Sequence, residues 1–341
     1  MKKSLLALAV LSAFAGAASA QSSVTLSGIV DAGIRGVGSD ESLTGSQSGY
    51  NAFTLSGRED LGGGMVAFFT LNHRFQIQNG RSNTNGGTTG SADVFWRNSF
   101  VGLGSGFGDI RLGRMLMPLQ DMNGGFDAFD TGYAGGTHTG GLTATVRANS
   151  TVYYRSPTFA GFTFHGAYAS AAGQTAFDTQ GSLANGPTFQ VPNAAITAGL
   201  ENPMGLSLRW SAGPFTVGTA FDQNVAGYET YGLYGSWNGG FMQLFGQWEH
   251  GAVNNAAGTA YEKGDVYSIS AKIPMGAITW KVGYVGVNSD GGADGYKIGG
   301  GLEYALSKRT SLYSTIGQAG GDRPTGAAED FRYDVGVTHR F

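Results

Sequence analysis

Two carboxylates three residues apart, Asp127 and Asp130, and five histidines, His73, His138, His165, His250 and His339, are where catalysis would be sought first in this chain. Acids at that spacing could serve a glycosidase or part of a calcium shell, but calcium needs further oxygen ligands and none accompany them. The histidines are scattered, and no H-E-x-x-H, G-x-S-x-G or P-loop pattern occurs. His138 reads as a solvated loop histidine rather than the base of a nucleophilic pair. With no cysteine anywhere, thiol catalysis and thiolate metal sites are excluded. No enzyme, cofactor or metal site is expected. The remaining chemistry is that of fixed charges: arginines spaced along alternating segments, and aspartates gathered in one long loop.

The elements that must position those charges are strands. In "GAITWKVGYVG", Ile278, Trp280, Val282 and Tyr284 fall on one face and Thr279, Lys281 and Gly283 on the other, a period of two. "GLSLRWSAGP" and "GFMQLFGQWEH" repeat the pattern. In "TATVRANSTVYYRSP", Val146, Ala148, Ser150, Val152 and Tyr154 share one face, and Arg147, Asn149, Thr151, Tyr153 and Arg155 the other. One face is aliphatic and aromatic; the opposite one carries Arg, Gln, Asn and Thr. Alternation continues to the last residue, with Tyr333, Val335, Val337, His339 and Phe341 on one side of the final strand.

The first twenty residues stand apart. "MKKSLLALAVLSAFAGAASA" joins two lysines, a short apolar run and an A-x-A site, the layout of a cleaved secretory signal, and its apolar run is shorter than the roughly 20 residues a spanning helix needs. Residues 21–341 then form a single domain with 19 basic and 24 acidic side chains, which argues against nucleic-acid binding. Aromatics at 12% exclude disorder, and the 59 glycines show no collagen period. An exported, cysteine-free, glycine- and aromatic-rich chain of this length reads as all-β. If it enters a membrane, a closed barrel is the form open to it, since every backbone polar group must then be paired.

Connections discriminate a barrel from a soluble sandwich. Short links at 61–64, 104–108, 156–161, 211–214, 238–240, 274–277 and 306–309 alternate with longer ones near 38–48, 79–92, 116–143, 172–203, 223–228, 251–261, 289–294 and 320–329. Fifteen connections give sixteen strands. Tight turns at one end and long loops at the other describe an outer-membrane barrel, wide enough at this size for a water-filled lumen. An even strand number returns the last strand beside Val24–Val37, where antiparallel pairing removes both sheet edges. Phe341 then falls in the aromatic girdle of the periplasmic interface.

"SSVTLSGIVDAGI" at 22–34, "GREDLGGGMVAFFTL" at 57–71, "RNSFVGLGSGFGDIRLGR" at 97–114, "YYRSPTFAGFTF" at 153–164, "ALSKRTSLY" at 305–313 and "VGVTHRF" at 335–341 resemble, in order and across the mature chain, the general porins of Gram-negative bacteria, especially the β-proteobacterial type. The resemblance implies a sixteen-stranded antiparallel transmembrane β-barrel whose third loop folds inward, assembled as a homotrimer and passing small hydrophilic solutes passively. It further implies a place in the outer membrane, among lipid and lipopolysaccharide, and recognition of terminal Phe341 by the barrel-assembly machinery.

The third long loop is 116–143, and its acids are Asp121, Asp127 and Asp130. Motif correspondence supplies Arg97 and Arg147 as facing wall charges, and Arg74 shares the polar face with Thr70 and Asn72. Arg111 and Arg209 are further wall charges, and Arg114 reads as a brace at the root of the loop. Two positions depart from the family: Ala52 stands where an arginine is common and Asn72 where a glutamate is common, with Arg74 a partial substitute for the former. Arginine stays charged at physiological pH, and rows of fixed charge select ions by sign. Strand arginines hold position better than loop acids, so a slight preference for anions is expected. A plugged barrel would need a core-like inner face, which this chain lacks. A substrate-specific channel would line its lumen with one dominant charge or with an aromatic track, for which Tyr153 and Tyr313 are the candidates.

Overall fold

The computed structural model describes residues 23–45, 51–82, 96–130, 134–137, 145–173, 180–182, 188–190, 201–254, 261–291, 294–321 and 331–341. The signal segment 1–20 and His138 lie outside the described residues. The chain runs through β1 (Ser23–Val37), β2 (Asp40–Thr44), β3 (Asn51–Gly62), β4 (Met65–Phe75), β5 (Trp96–Ser105) and β6 (Gly108–Leu116). A short helix, α1 (Pro118–Asn123), precedes β7 (Arg147–Arg155) and β8 (Phe162–Ala169). After a two-stranded pair, β9 (Gln180–Ser182) with β10 (Thr188–Gln190), come β11 (Met204–Ala212), β12 (Phe215–Gln223), β13 (Glu229–Asn238) and β14 (Gln243–Asn254). The series ends with β15 (Tyr261–Met275), β16 (Ile278–Ser289), β17 (Gly295–Ala305), β18 (Thr310–Gly320) and β19 (Phe331–Arg340).

Successive strands pair antiparallel, β8 pairs with β11, and β19 returns to β1, closing a barrel. The main sheet holds 17 strand segments, but β2 and β3 lie end to end along one side of β1, so the barrel has 16 staves. The seam register runs from Ile29 opposite Arg340 to Val37 opposite Arg332. Two backbone bonds extend it, Gly28 N to Phe341 O at 2.9 Å and Phe341 N to Gly28 O at 3.1 Å. All seven expected short links fall between strands. The segment 38–48, expected to be loop, contains β2 instead, because its backbone can still pair with the upper half of β1.

The two faces reverse the arrangement of a soluble protein. Outward positions are aliphatic and exposed, Val101 at 55%, Leu103 at 62% and Ile269 at 62% among them. Inward positions such as Ser207, Ser268, Lys281 and Thr315 are polar and covered. An apolar belt on the outside suits lipid, and a polar lining suits water.

One expected face assignment is corrected. β6 and β7 slip register between Gly113 and Met115, and Ser150 takes a positive φ of 49° there. The bulge inverts the phase of β7, since an inserted residue swaps inner and outer faces. Ala148 consequently packs with inward Tyr153, Met115 and Ala167 rather than sharing the outer face of Val152 and Tyr154, and Arg147 and Asn149, expected on the face of Tyr153, fall in the opposite phase.

Candidate functional site

After β6 the chain turns into the lumen. Met117 is extended, with φ −79° and ψ 155°, and Pro118 opens α1 with a pre-set φ and no donor to strand. The helix is amphipathic across the lumen. Leu119, Met122, Phe126, Ala128 and Phe129 bury themselves against Ala220, Tyr234 and Phe245 on the inner faces of β12, β13 and β14. Each large side chain so buried contributes about 1.5–3 kcal/mol. The loop is therefore held mainly by a patch of apolar wall in an otherwise polar lining.

Polar ties then fix its course. Asn123 donates to Glu249 and Gln247 donates to the carbonyl of Phe126, both wall residues being on β14. The backbone N–H of Ala128 donates to Ser270 Oγ at 3.0 Å, that of Ala134 to Asp334 Oδ2 at 3.3 Å, and that of Gly135 to Thr315 Oγ1 at 3.1 Å. On the return limb, Thr145 N donates to Asp222 Oδ1 at 2.7 Å. The loop thus crosses from β6 to the far wall at β18 and β19. Glycines make room for it: the carbonyls of Gly135 and Ala134 occupy the space beside Gly299 and Gly317 that a Cβ would take.

The three loop acids have three different environments. Asp121 is half exposed, with Oδ2 3.8 Å from Nδ1 of His165 on β8, and the same nitrogen lies 3.0 Å from the Tyr153 hydroxyl. Asp127 is 3% exposed and accepts from Thr137 Oγ1 at 3.0 Å, a contact within the loop. Asp130 sits between two wall lysines, accepting from Lys272 at 2.7 Å and lying 3.6 Å from Lys281, which also meets Glu303 at 3.1 Å.

The expected arginines lie on β4, β5 and β7. Arg74 on β4 is directly opposite Ala52 on β3, so it occupies the level at which the departure was noted. Arg97 falls in a register slip between β4 and β5 and is buried. Arg147 is buried too, and its Nε donates to Asn98 Oδ1 at 3.0 Å. The basic side chains that Asp121 and Asp130 meet are instead His165, Lys272 and Lys281.

Asp109 and Lys272 escaped the sequence reading. Asp109 accepts from Arg111 at 2.6 Å and from Arg155 at 2.8 Å, and the Arg111 guanidinium lies over the rings of Phe68, Phe100 and Tyr153 at 5.9, 5.5 and 5.3 Å. The D-x-R spacing of Asp109 and Arg111, two residues apart on one strand face, was the available signal. Lys272 offered none, because its partner is distant in sequence. Beneath the loop, towards the short turns, the lumen opens into a water-accessible space of about 1080 Å³ lined by Arg58, Asp109, Asp121, Arg155, His165 and Arg209 among others.

Comparison with known proteins follows the same lines. The Gram-negative porin family model matches residues 7–324. Outer membrane porin protein 32 of Delftia acidovorans is 32% identical, over 93% of this chain and 89% of that protein. An outer membrane porin protein of Bordetella pertussis is 30% identical over the whole of both chains. Among solved structures, an anion-selective porin from Comamonas acidovorans superposes with a TM-score of 0.74 at 25% identity, covering 94% of this chain and 100% of that one. OmpT of Vibrio cholerae in its trimer form shares the fold, with a TM-score of 0.65 at 12% identity over 94% of this chain and 99% of that one.

Proposed function

The chain belongs to the Gram-negative porin family, and from that premise we propose how its barrel admits solutes. The protein is an outer-membrane general diffusion porin, a water-filled channel through which small hydrophilic molecules pass down their own gradients. Its relatives are channels rather than enzymes. The observation that carries this reading is the loop, at 117–130 and 134–137, lying inside a closed, polar-lined barrel and tied to the opposite wall.

The finer reading concerns the field across the constriction. Asp121 and Asp130 are the loop acids that meet water, so they supply the negative pole of the solute path. Asp127, buried and held by Thr137, contributes from behind them. Arg74, Arg97 and Arg147 supply the positive pole, the two buried ones acting from behind the lining. Polar solutes align in such a transverse field; apolar ones would have to displace ordered water. Cations on rigid strands outlast acids on a loop in this competition, which favours weak anion selectivity. The anion selectivity of the Comamonas acidovorans porin supports the same sign.

The working unit is a homotrimer. Arg114 shares the outward phase of Ile110 and Leu112, beside Ser99 on β5, and donates to Asn149. An arginine on a lipid face costs about 2–4 kcal/mol near the bilayer midplane, so this arc of β5–β7 is better covered by a neighbouring subunit. Phe341, its ring laid against Gly28 at the end of the seam, is the recognition element for barrel assembly.

Planar-bilayer recording of the purified mature protein tests the reading. Conductance steps in threes, with a small zero-current potential of anion-selective sign in a salt gradient, are expected. Silence from protein shown to be folded and inserted would overturn it.

A further inference from the structure

One acid of the loop and one histidine of the wall meet at the water beneath the loop, with a phenol fixing the ring. Asp121 on α1 and His165 on β8 both line that space. Asp121 Oδ2 lies 3.8 Å from His165 Nδ1, and the Tyr153 hydroxyl lies 3.0 Å from the same nitrogen. Tyr153 is itself held, 3% exposed with the Arg111 guanidinium 5.3 Å from its ring centre. Nδ1 of a neutral imidazole can accept from the phenol; once the ring is protonated, both nitrogens must donate. The bond to Tyr153 then reverses or gives way to Asp121.

The other charged groups acting on this ring are Arg155 on β7 and Arg111 and Asp109 on β6. Both arginines are paired to Asp109, so the exposed acid beside the ring is Asp121. Arg209 on β11 lines the same space, two positions from Ser207, the residue opposite His165. No other histidine among the described residues borders this water. His73 lies against Phe53 and Trp96, His250 stacks on Trp248, and His339 meets Thr310.

We propose that His165 is the residue through which protons set the ion preference of this channel. The inference rests on the porin reading above. Neutral His165 leaves the charge of Asp121 uncancelled in the solute path. Protonated His165 puts a positive charge 3.8 Å from that carboxylate, and the pair presents no net charge. Histidine is the side chain whose ordinary titration falls between about pH 5 and pH 8. Acid medium thus adds one positive charge to the lumen at the level of α1 and favours passing anions, with no movement of the loop required.

The test is the zero-current potential of the purified mature protein in a potassium chloride gradient. It is taken from about pH 7.5 to about pH 5.5, where histidines in general titrate and carboxylates in general stay ionised. The chloride-to-potassium permeability ratio should rise about two- to fivefold on acidification, the range for one unit charge a few ångströms away across water. His165→Gln keeps an acceptor for Tyr153 but takes up no proton, so its ratio should stay at the parent's neutral-pH value throughout. Asp121→Asn should begin near the parent's acid value and still rise on acidification, because the titrating ring is intact. Asp121 is half exposed, so that arm stands even where His165→Gln fails to fold. Gln in place of His73, His250 or His339, one at a time, should leave the response unchanged. A flat ratio in the parent, a response that survives His165→Gln, or a flat Asp121→Asn each overturns the role of His165 and leaves the porin reading intact. An inserted protein that passes no current overturns both.

Discussion

The carbonyl of Ala134, in the inward loop, fills the space a side chain on Gly317 would need, in the wall strand β18. The loop backbone rests on strand backbone there, with no side chain between them. Gly317→Ala must push the loop towards the centre of the lumen, at a cost of about 1–3 kcal/mol for an overpacked contact. Single-channel conductance should fall. Gly300→Ala is the matched control: a Cβ there meets nothing nearer than Ile316 Cγ1 at 3.9 Å, so its conductance should equal that of the parent. Unchanged conductance in Gly317→Ala would show that the loop does not bear on this wall.

Closure of the barrel depends on a buried carboxylate. Asp31 on β1 accepts from the Tyr313 hydroxyl at 3.0 Å and from Thr338 Oγ1 at 2.5 Å, bridging the seam from β18 and β19. Asp31→Leu leaves both hydroxyls without that acceptor in a covered setting, a loss of about 1–3 kcal/mol for each donor left unsatisfied. The unfolding midpoint in denaturant should drop, with conductance per channel preserved in molecules that remain folded. An unshifted midpoint would mean the backbone ladder alone holds the seam.

Asp127 and Asp130 lie three residues apart yet should respond in opposite ways. Asp130 is half exposed between Lys272 and Lys281, and pairs of that kind contribute at most about 1 kcal/mol. Asp130→Asn should therefore leave stability nearly unchanged while removing a negative charge from the lumen, moving the zero-current potential further towards anions. Asp127 is buried and braced by Thr137, so Asp127→Asn should cost stability and increase current noise as the loop loosens. The two readouts exchanged between the variants would refute the distinction.

Strand phase, turn positions and the seam were all legible because they depend on local alternation and on closure. What alternation cannot show is where it breaks. The bulge at Ser150 needs no glycine or proline, so nothing in "VRANSTVYY" announces that Ala148 changes sides. Nor could the loop acids be matched to partners. Asp130 and Lys272 are 142 positions apart, and their meeting depends on the depth to which Leu119, Phe126 and Phe129 sink into the wall. Arg114 shares the outward phase of Ile110 and Leu112 by the same alternation, but its donation to Asn149 across the β7 bulge could not be read from that pattern.

That outward arginine gives a test of assembly. Arg114 donates to Asn149 on a face otherwise composed of Val101, Ile110, Leu112 and Val152. If the face meets lipid, Arg114→Leu removes a polar group from hydrocarbon and should stabilise the barrel. If the face meets another subunit, the same change deletes a polar contact at the junction and should weaken the trimer while each barrel stays folded. The second outcome is expected. Native electrophoresis of the unheated protein should then show monomers at detergent concentrations where the parent runs as trimers, with strand content by circular dichroism unchanged. Intact trimers together with a raised unfolding midpoint would place this arc against lipid and move the subunit contact elsewhere on the barrel.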